Sequence, residues 1–201
     1  MEFFELVKKR RSVRSFKPQP VAMEDLTRLV EAARVAPSAA NLQPLEYVVV
    51  TEPGLCEQIF ACLKWAAHTA PRGTPAPGHL PTAYIAVLVR EEYQAGIGAD
   101  YDVGAAAQTI LLGAVALGLG ACWLKSINYP KASELLGLPE GVKLDSIIAL
   151  GYPDEEPRQV DLKPEDQGKE VTHYWRDDND QHFVPKRALA TILHRQRYGQ
   201  K

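Results

Sequence analysis

The chain predicts a mixed α/β fold built around a sheet buried on both faces, and three observations carry that expectation. Tyr47 to Val50 and Ala83 to Val89 are continuous apolar runs rich in β-branched residues, the pattern of strands covered on both sides. Leu26, Leu29, Val30 and Ala33, and again Leu55, Ile59, Cys62 and Leu63, recur at helical spacing. No repeat or clean internal boundary divides the 201 residues, a length that one core can serve, so residues 1–201 are expected to form a single domain.

Taken in order, Phe3 to Lys9 reads as a short helix with Phe3, Leu6 and Val7 on one face. Pro18 and Pro20 separate it from a helix over Met23 to Val35, and Tyr47 to Val50 is expected as a buried central strand. Gly54 to Ala67 is helical by period; Thr69 to Pro81, with Pro71, Gly73, Pro75, Pro77, Gly78 and Pro81, is a loop. After the strand Ala83 to Val89, a helix over Val103 to Leu119 leads to strand Ala121 to Lys125, helix Lys131 to Leu136 and strand Ser146 to Leu150. Only Gln108 and Thr109 interrupt the apolar and small residues from Val103 to Leu124, a length that could span a bilayer. Ala and Gly gain little in hydrocarbon, however, and no basic cluster fixes an orientation, so a central helix buried on all sides fits better. Gly113, Ala114, Ala116, Gly118 and Gly120 would let another backbone come close.

Residues 154–201 have a different character. Asp154 to Glu170 is polar and extended, Val171 to Trp175 and His182 to Val184 read as strands around a turn at Asp177 to Asp180, and Lys186 to Tyr198 reads as a closing helix. This stretch is too small for a core of its own and is expected to be a tail that docks on a larger surface.

A composition of 46% hydrophobic and 24% charged residues with net charge −2 is that of a globular domain with no general pull toward nucleic acid. Phe3 and Phe4 stand beside Glu2 and Glu5, which is not a secretory leader, and Cys56, Cys62 and Cys122 show neither a CxxC pair nor disulfide-like spacing. A cytoplasmic protein with reduced cysteines is expected. Five scattered histidines without an HExxH pair supply no metal site.

Three segments carry chemistry. Arg10-Arg11-Ser12-Val13-Arg14 sets three guanidinium groups and a hydroxyl at a helix end, where they either complement the dipole or grip a phosphate dianion in bidentate fashion. Pro37-Ser38-Ala39-Ala40-Asn41-Leu42-Gln43-Pro44 is a turn-forming loop whose Asn41 and Gln43 amides could also read the acceptor and donor edge of a heterocycle. Lys186-Arg187 follows Pro185 at the expected start of the last helix, where two cations are unfavourable unless an anion binds or they point to solvent. The dinucleotide fingerprint, the phosphate loop and the GxSxG elbow are all missing. Taken together, the three segments make a bound flavin mononucleotide (FMN) the expected ligand.

Together with the Gly/Ala-rich helix through Gly120, Ala149-Leu150-Gly151-Tyr152-Pro153 and Val184-Pro185-Lys186-Arg187, these segments resemble the FMN-dependent nitroreductase family over nearly the whole chain. The resemblance implies an α+β fold, a central mixed sheet flanked by helices, in an intertwined homodimer with an extended C-terminal tail and FMN at the subunit interface. It implies that Arg10, Arg11, Ser12 and Arg14 hold phosphate and flavin edge, that Lys186 and Arg187 add to the phosphate socket, and that Pro37, Ser38, Ala39, Asn41 and Gln43 come from the opposite subunit. Ala121, Cys122 and Trp123 would lie near the flavin ring. The implied activity moves a hydride from NADH or NADPH through FMN to a small acceptor such as a nitroaromatic or quinone. A reductive dehalogenase, a flavin-dependent dehydrogenase and a non-catalytic flavin-binding dimer are the alternatives. Leu45 stands where many members carry tryptophan, and the proline-rich 69–81 loop is unusual; both bear on the substrate.

Overall fold

The computed structural model describes residues 2–94 and 98–200. Helices α1 (Phe3–Lys9) and α2 (Met23–Arg34) precede strand β1 (Leu45–Val50); α3 (Pro53–Ala61) leads to β2 (Ala83–Arg90), and α4 (Asp100–Ala116) to β3 (Gly120–Leu124). Next come α5 (Tyr129–Leu135), β4 (Val142–Gly151), β5 (Arg158–Asp161), β6 (Trp175–Arg176), β7 (His182–Lys186) and a four-residue α6 (Leu189–Ile192). One sheet has the order β1-β2-β4-β3 and a second the order β5-β7-β6. Every strand pair of the larger sheet is antiparallel; a parallel bridge from Ser12 to Ala121 extends its β3 edge, and the parallel β5–β7 pair makes the smaller sheet mixed. The fold is α+β.

Side-chain alternation along β2 explains why both faces of the larger sheet are covered. Ala83, Ile85, Val87 and Val89 pack with Leu26, Leu29, Ala106 and Ile110 of α2 and α4. Tyr84, Ala86 and Leu88 point the other way, toward Cys56 and Ile59 of α3 and Ala132 of α5. A bulge shifts the register between Val87 and Leu88, so Leu144 and Ile147 of β4 face the same core although their numbers differ by three. Local capping sets the helix starts: the Glu52 carboxylate accepts from the N–H groups of Gly54 and Leu55, and the Asn128 side chain accepts from Lys131 N–H.

Several expectations are corrected. The apolar run ending at Val50 forms an edge strand, half-covered, and not a central one. The third helix stops at Ala61, and Glu170–Thr172 is a 3₁₀ turn where a strand was expected. The polar stretch after Asp154 contains β5. The closing helix shrinks to Leu189–Ile192, because Leu189, Ile192 and Leu193 find no core surface and stay exposed. Lys186 therefore ends a strand, and the helix-dipole argument for Lys186 and Arg187 falls. Helix α4 keeps Tyr101, Gln108 and Ala116 on an open face, and its Gly113 admits Leu29 of α2: a Cβ there would lie 2.8 Å from Leu29 Cδ2. Among the described residues no helix is long and apolar enough to cross a membrane.

Gly120 and Gly151 are register partners at the end of β3 and β4. A Cβ on Gly120 would meet Val13 Cβ at 2.9 Å, and one on Gly151 would meet Phe16 Cδ1 at 2.9 Å. The paired glycines thus form a notch into which the segment after α1 inserts Val13 and Phe16, both buried. Gly120→Ala is expected to cost about 1–3 kcal/mol by overpacking, measured by urea denaturation. Combining it with Val13→Ala should cost clearly less than the sum of the two single changes, because the added methyl then has room; strict additivity would refute the notch.

Candidate functional site

The notch positions a cationic corner. Helix α1 ends at Arg10, whose N–H bonds Leu6 C=O at 3.1 Å, and the chain continues extended. The Arg11 guanidinium donates to Arg10 C=O and to the Gln159 side chain of β5. Ser12 bridges Ala121, and Val13 N–H bonds Ala121 C=O at 3.0 Å. The Arg14 guanidinium lies over the Tyr174 ring, 5.2 Å from its centroid. From the far end of the chain, Lys186 closes β7 opposite Asp161 of β5. Burial lowers the pKa of Arg10; burial and then Arg10 lower that of Arg11, against a smaller raising effect of Asp161. Lys186 is likewise lowered, by burial first and then by Arg11 and Arg10. These three cations share one field. Among the described residues the buried Arg11 Nε and Arg14 Nε have no acceptor, and the cations gathered at this corner suit a ligand with several anionic oxygens. Arg11, Lys8, Lys9, Lys17 and Arg158, together with Asp154, Glu155 and Glu156, line an adjoining groove of about 930 Å³.

In β3, Ala121 faces the α2–α4 core and Cys122 the opposite one, while Trp123 is partly exposed. Burial pushes the Cys122 thiol up and Arg14 only partly opposes this, so Cys122 is a protonated packing residue. Cys56, Cys62 and Cys122 are all free and buried.

The Pro37 to Gln43 loop is strained. Ala40, Asn41 and Gln43 adopt left-handed backbone with φ of 49°, 56° and 51°, which residues with a Cβ rarely do. Two bonds hold it: Ala39 N–H to the buried Asp102 carboxylate at 2.9 Å and Gln43 N–H to Ser38 Oγ at 2.8 Å. Pro37, Ser38 and Gln43 line a cavity of about 130 Å³ with Asp102 and Tyr47, and the Asn41 side chain is exposed. Asp102 sits in the first turn of α4, whereas Val115 borders the cationic groove. At the helical rise the two places are about 20 Å apart along α4. Arg10, Arg11, Ser12 and Lys186 therefore gather in one chain, whereas Ala39 and Asn41 stand away from them. Arg187 lines a separate cleft with Pro164, Asp166 and Lys169.

A family model described as "Nitroreductase family" matches residues 7–152. The chain belongs to the nitroreductase family. It is 30% identical over 166 residues to a protein of Archaeoglobus fulgidus named "Putative NADH dehydrogenase/NAD(P)H nitroreductase", covering 77% of this chain and 87% of that one. Human iodotyrosine deiodinase 1 is 29% identical over 188 residues, covering 81% of this chain and 65% of its own length. A solved structure from Desulfovibrio desulfuricans, named "a putative nitroreductase in complex with fmn", superimposes with a TM-score of 0.64 at 27% identity, covering 82% of this chain and 93% of that one. The protein is an oxidoreductase of this family.

In this nitroreductase-family chain the match ends at Tyr152, and the residues the sequence reading missed lie just beyond it. Glu155 accepts from Arg14 N–H and pairs with Arg176, both side chains being almost fully buried. Gln159 holds Arg11, and His182 packs edge-on against Tyr174 at 5.6 Å. Polar residues in a polar segment gave no periodic signal. Among the described residues no group of three or more His, Cys, Asp or Glu could hold a metal ion.

His182 is buried, neither ring nitrogen has a partner among the described residues, and burial followed by Arg14 and Arg176 pushes its pKa down to about 4. The unfolded chain takes up this proton below about pH 6.5 and the folded chain only near 4. Stability is therefore complete above 6.5 and falls as the pH drops through that window, by about 3 kcal/mol in all. Urea midpoints measured from pH 7 to 4 should show this slope, and His182→Phe should remove most of it. An equal slope in the variant would overturn the assignment.

Proposed function

We propose that the protein is an FMN-dependent oxidoreductase that takes a hydride from NADH or NADPH and passes reducing equivalents to a small acceptor such as a nitroaromatic or quinone. The observation that carries this reading is the convergence of Arg10, Arg11 and Lys186 from opposite ends of the chain, through β5, whose Gln159 holds Arg11 and whose Asp161 lies opposite Lys186. When bound, FMN supplies the redox chemistry, which accounts for a site without a nucleophile or acid–base pair. Arg10, Arg11, Ser12 and Lys186 would hold its phosphate, and Arg14 would bring positive charge beside the ring. The backbone of Ala121, Cys122 and Trp123 would lie beside it.

The working unit is a homodimer in this reading. Pro37, Ser38, Ala39, Asn41 and Gln43 reach the cationic corner only from a second copy, since α4 separates the two places within one chain. The exposed Phe3, Phe4 and Val7 of α1 and Tyr101 of α4 supply an apolar face for that contact. Residues 1–201 act as one domain with 154–201 as its docking tail. Three free cysteines are compatible with a cytoplasmic location.

Reductive dehalogenation on the same fold is the second reading, favoured by the likeness to iodotyrosine deiodinase. Anaerobic turnover with a nitroaromatic, a quinone and iodotyrosine, scoring nicotinamide oxidation and iodide release, separates the two.

Purified protein should be yellow and bleach on anaerobic addition of NADH or NADPH. Arg10→Ala and Lys186→Ala should each weaken FMN binding about tenfold or more while leaving riboflavin affinity nearly unchanged, as read by flavin fluorescence. Arg187→Ala should change FMN affinity little, given its separate cleft. A preparation that stays colourless in excess FMN would end the proposal.

A further inference from the structure

The segment after Tyr152 wraps back over the cationic corner. Asp154 N–H bonds Ser15 C=O at 2.9 Å, Glu155 bridges Arg14 N–H and Arg176, and Gln159 takes Arg11. Strand β5 then pairs with β7, which sets Lys186 opposite Asp161 and bonds Lys186 C=O to Leu162 N–H at 2.8 Å. Closing this segment therefore brings a third cation against Arg10 and Arg11.

Arg10, Arg11 and Lys186 meet at that contact, and the β5–β7 register sets Asp161 beside Lys186. Glu155 is already matched to Arg176. The adjoining groove sets Lys8, Lys9, Lys17 and Arg158 against Asp154, Glu155 and Glu156, so the balance at the corner stays positive. Without an anion, like charges oppose closure; with one, each cation gains a partner.

We propose that residues 153–186 form a strap whose docking is linked to occupancy of the anion site, with Lys186 as the strap's contribution and a phosphate-type dianion as the ligand that closes it. The proposal rests on the FMN reading for the identity of the ligand, and linkage makes it reciprocal: whatever favours the docked strap tightens the anion by the same factor. Asp161, facing Arg11 from the strap, moderates the repulsion.

Hydrogen exchange on the full chain, stripped of flavin and titrated separately with FMN, riboflavin and inorganic phosphate, tests this. In the wild type, FMN and millimolar phosphate should slow exchange in residues 158–161 and 182–186 about tenfold or more, and riboflavin should not. Lys186→Gln should show slowed exchange without any anion and no further response to phosphate. Asp161→Asn, which keeps its oxygen for Gln159 Nε2, should shift the other way, with faster exchange in the stripped protein and a larger phosphate response. FMN that binds while strap exchange stays unchanged would overturn the linkage and leave the flavin reading standing. Phosphate protection without FMN binding would do the reverse. Lys186→Gln as open as the stripped wild type would also overturn the strap.

Discussion

The arrangement depends on one steric fact, that Gly120 and Gly151 face each other across two strands and neither carries a Cβ. Val13 and Phe16 occupy the space, and burying two such side chains contributes about 3–6 kcal/mol. The cations gathered at this half-buried corner repel one another. The arginines stay assembled because their neighbours in sequence are pinned by that anchor. From the same anchor, Ser12 lies on Ala121, and Phe16 bridges Pro153, where the strap begins.

The elements buried on a regular period were legible from sequence. Strand β2 and helices α2 and α5 fall within a few residues of their expected bounds, because alternation or helical spacing there reports a real core face. What failed shares a cause. Edge position is a matter of unpaired backbone groups, and the side chains of Leu45 to Val50 do not record it. Leu189, Ile192 and Leu193 carry helical spacing without a surface to bury against, so spacing alone overpredicted the last helix. The convergence of Lys186 with Arg10 and Arg11 was legible as chemistry, cations seeking an anion, although the reason offered, a helix N-terminus, was not the one the fold uses. Glu155, Gln159 and Arg176 could not be picked out, since each matters through a partner distant in sequence.

The chain keeps two locally unfavourable features. One is a cluster of like charges; the other is three left-handed residues without glycine in the Ala39 to Gln43 turn, each costing on the order of 1–2 kcal/mol. Both are actively held, the cations by Gln159 and the notch, the turn by Asp102 and Ser38. They lie at opposite ends of α4, an apolar 17-residue helix that fixes their separation. A single small ligand cannot touch both ends within one chain. Two copies laid with their α4 helices running in opposite directions would bring the turn of one to the cations of the other, twice. Under the dimer proposed above, the strain of the turn and the repulsion of the cations would serve one site, and the length of α4 would set the distance between its two halves.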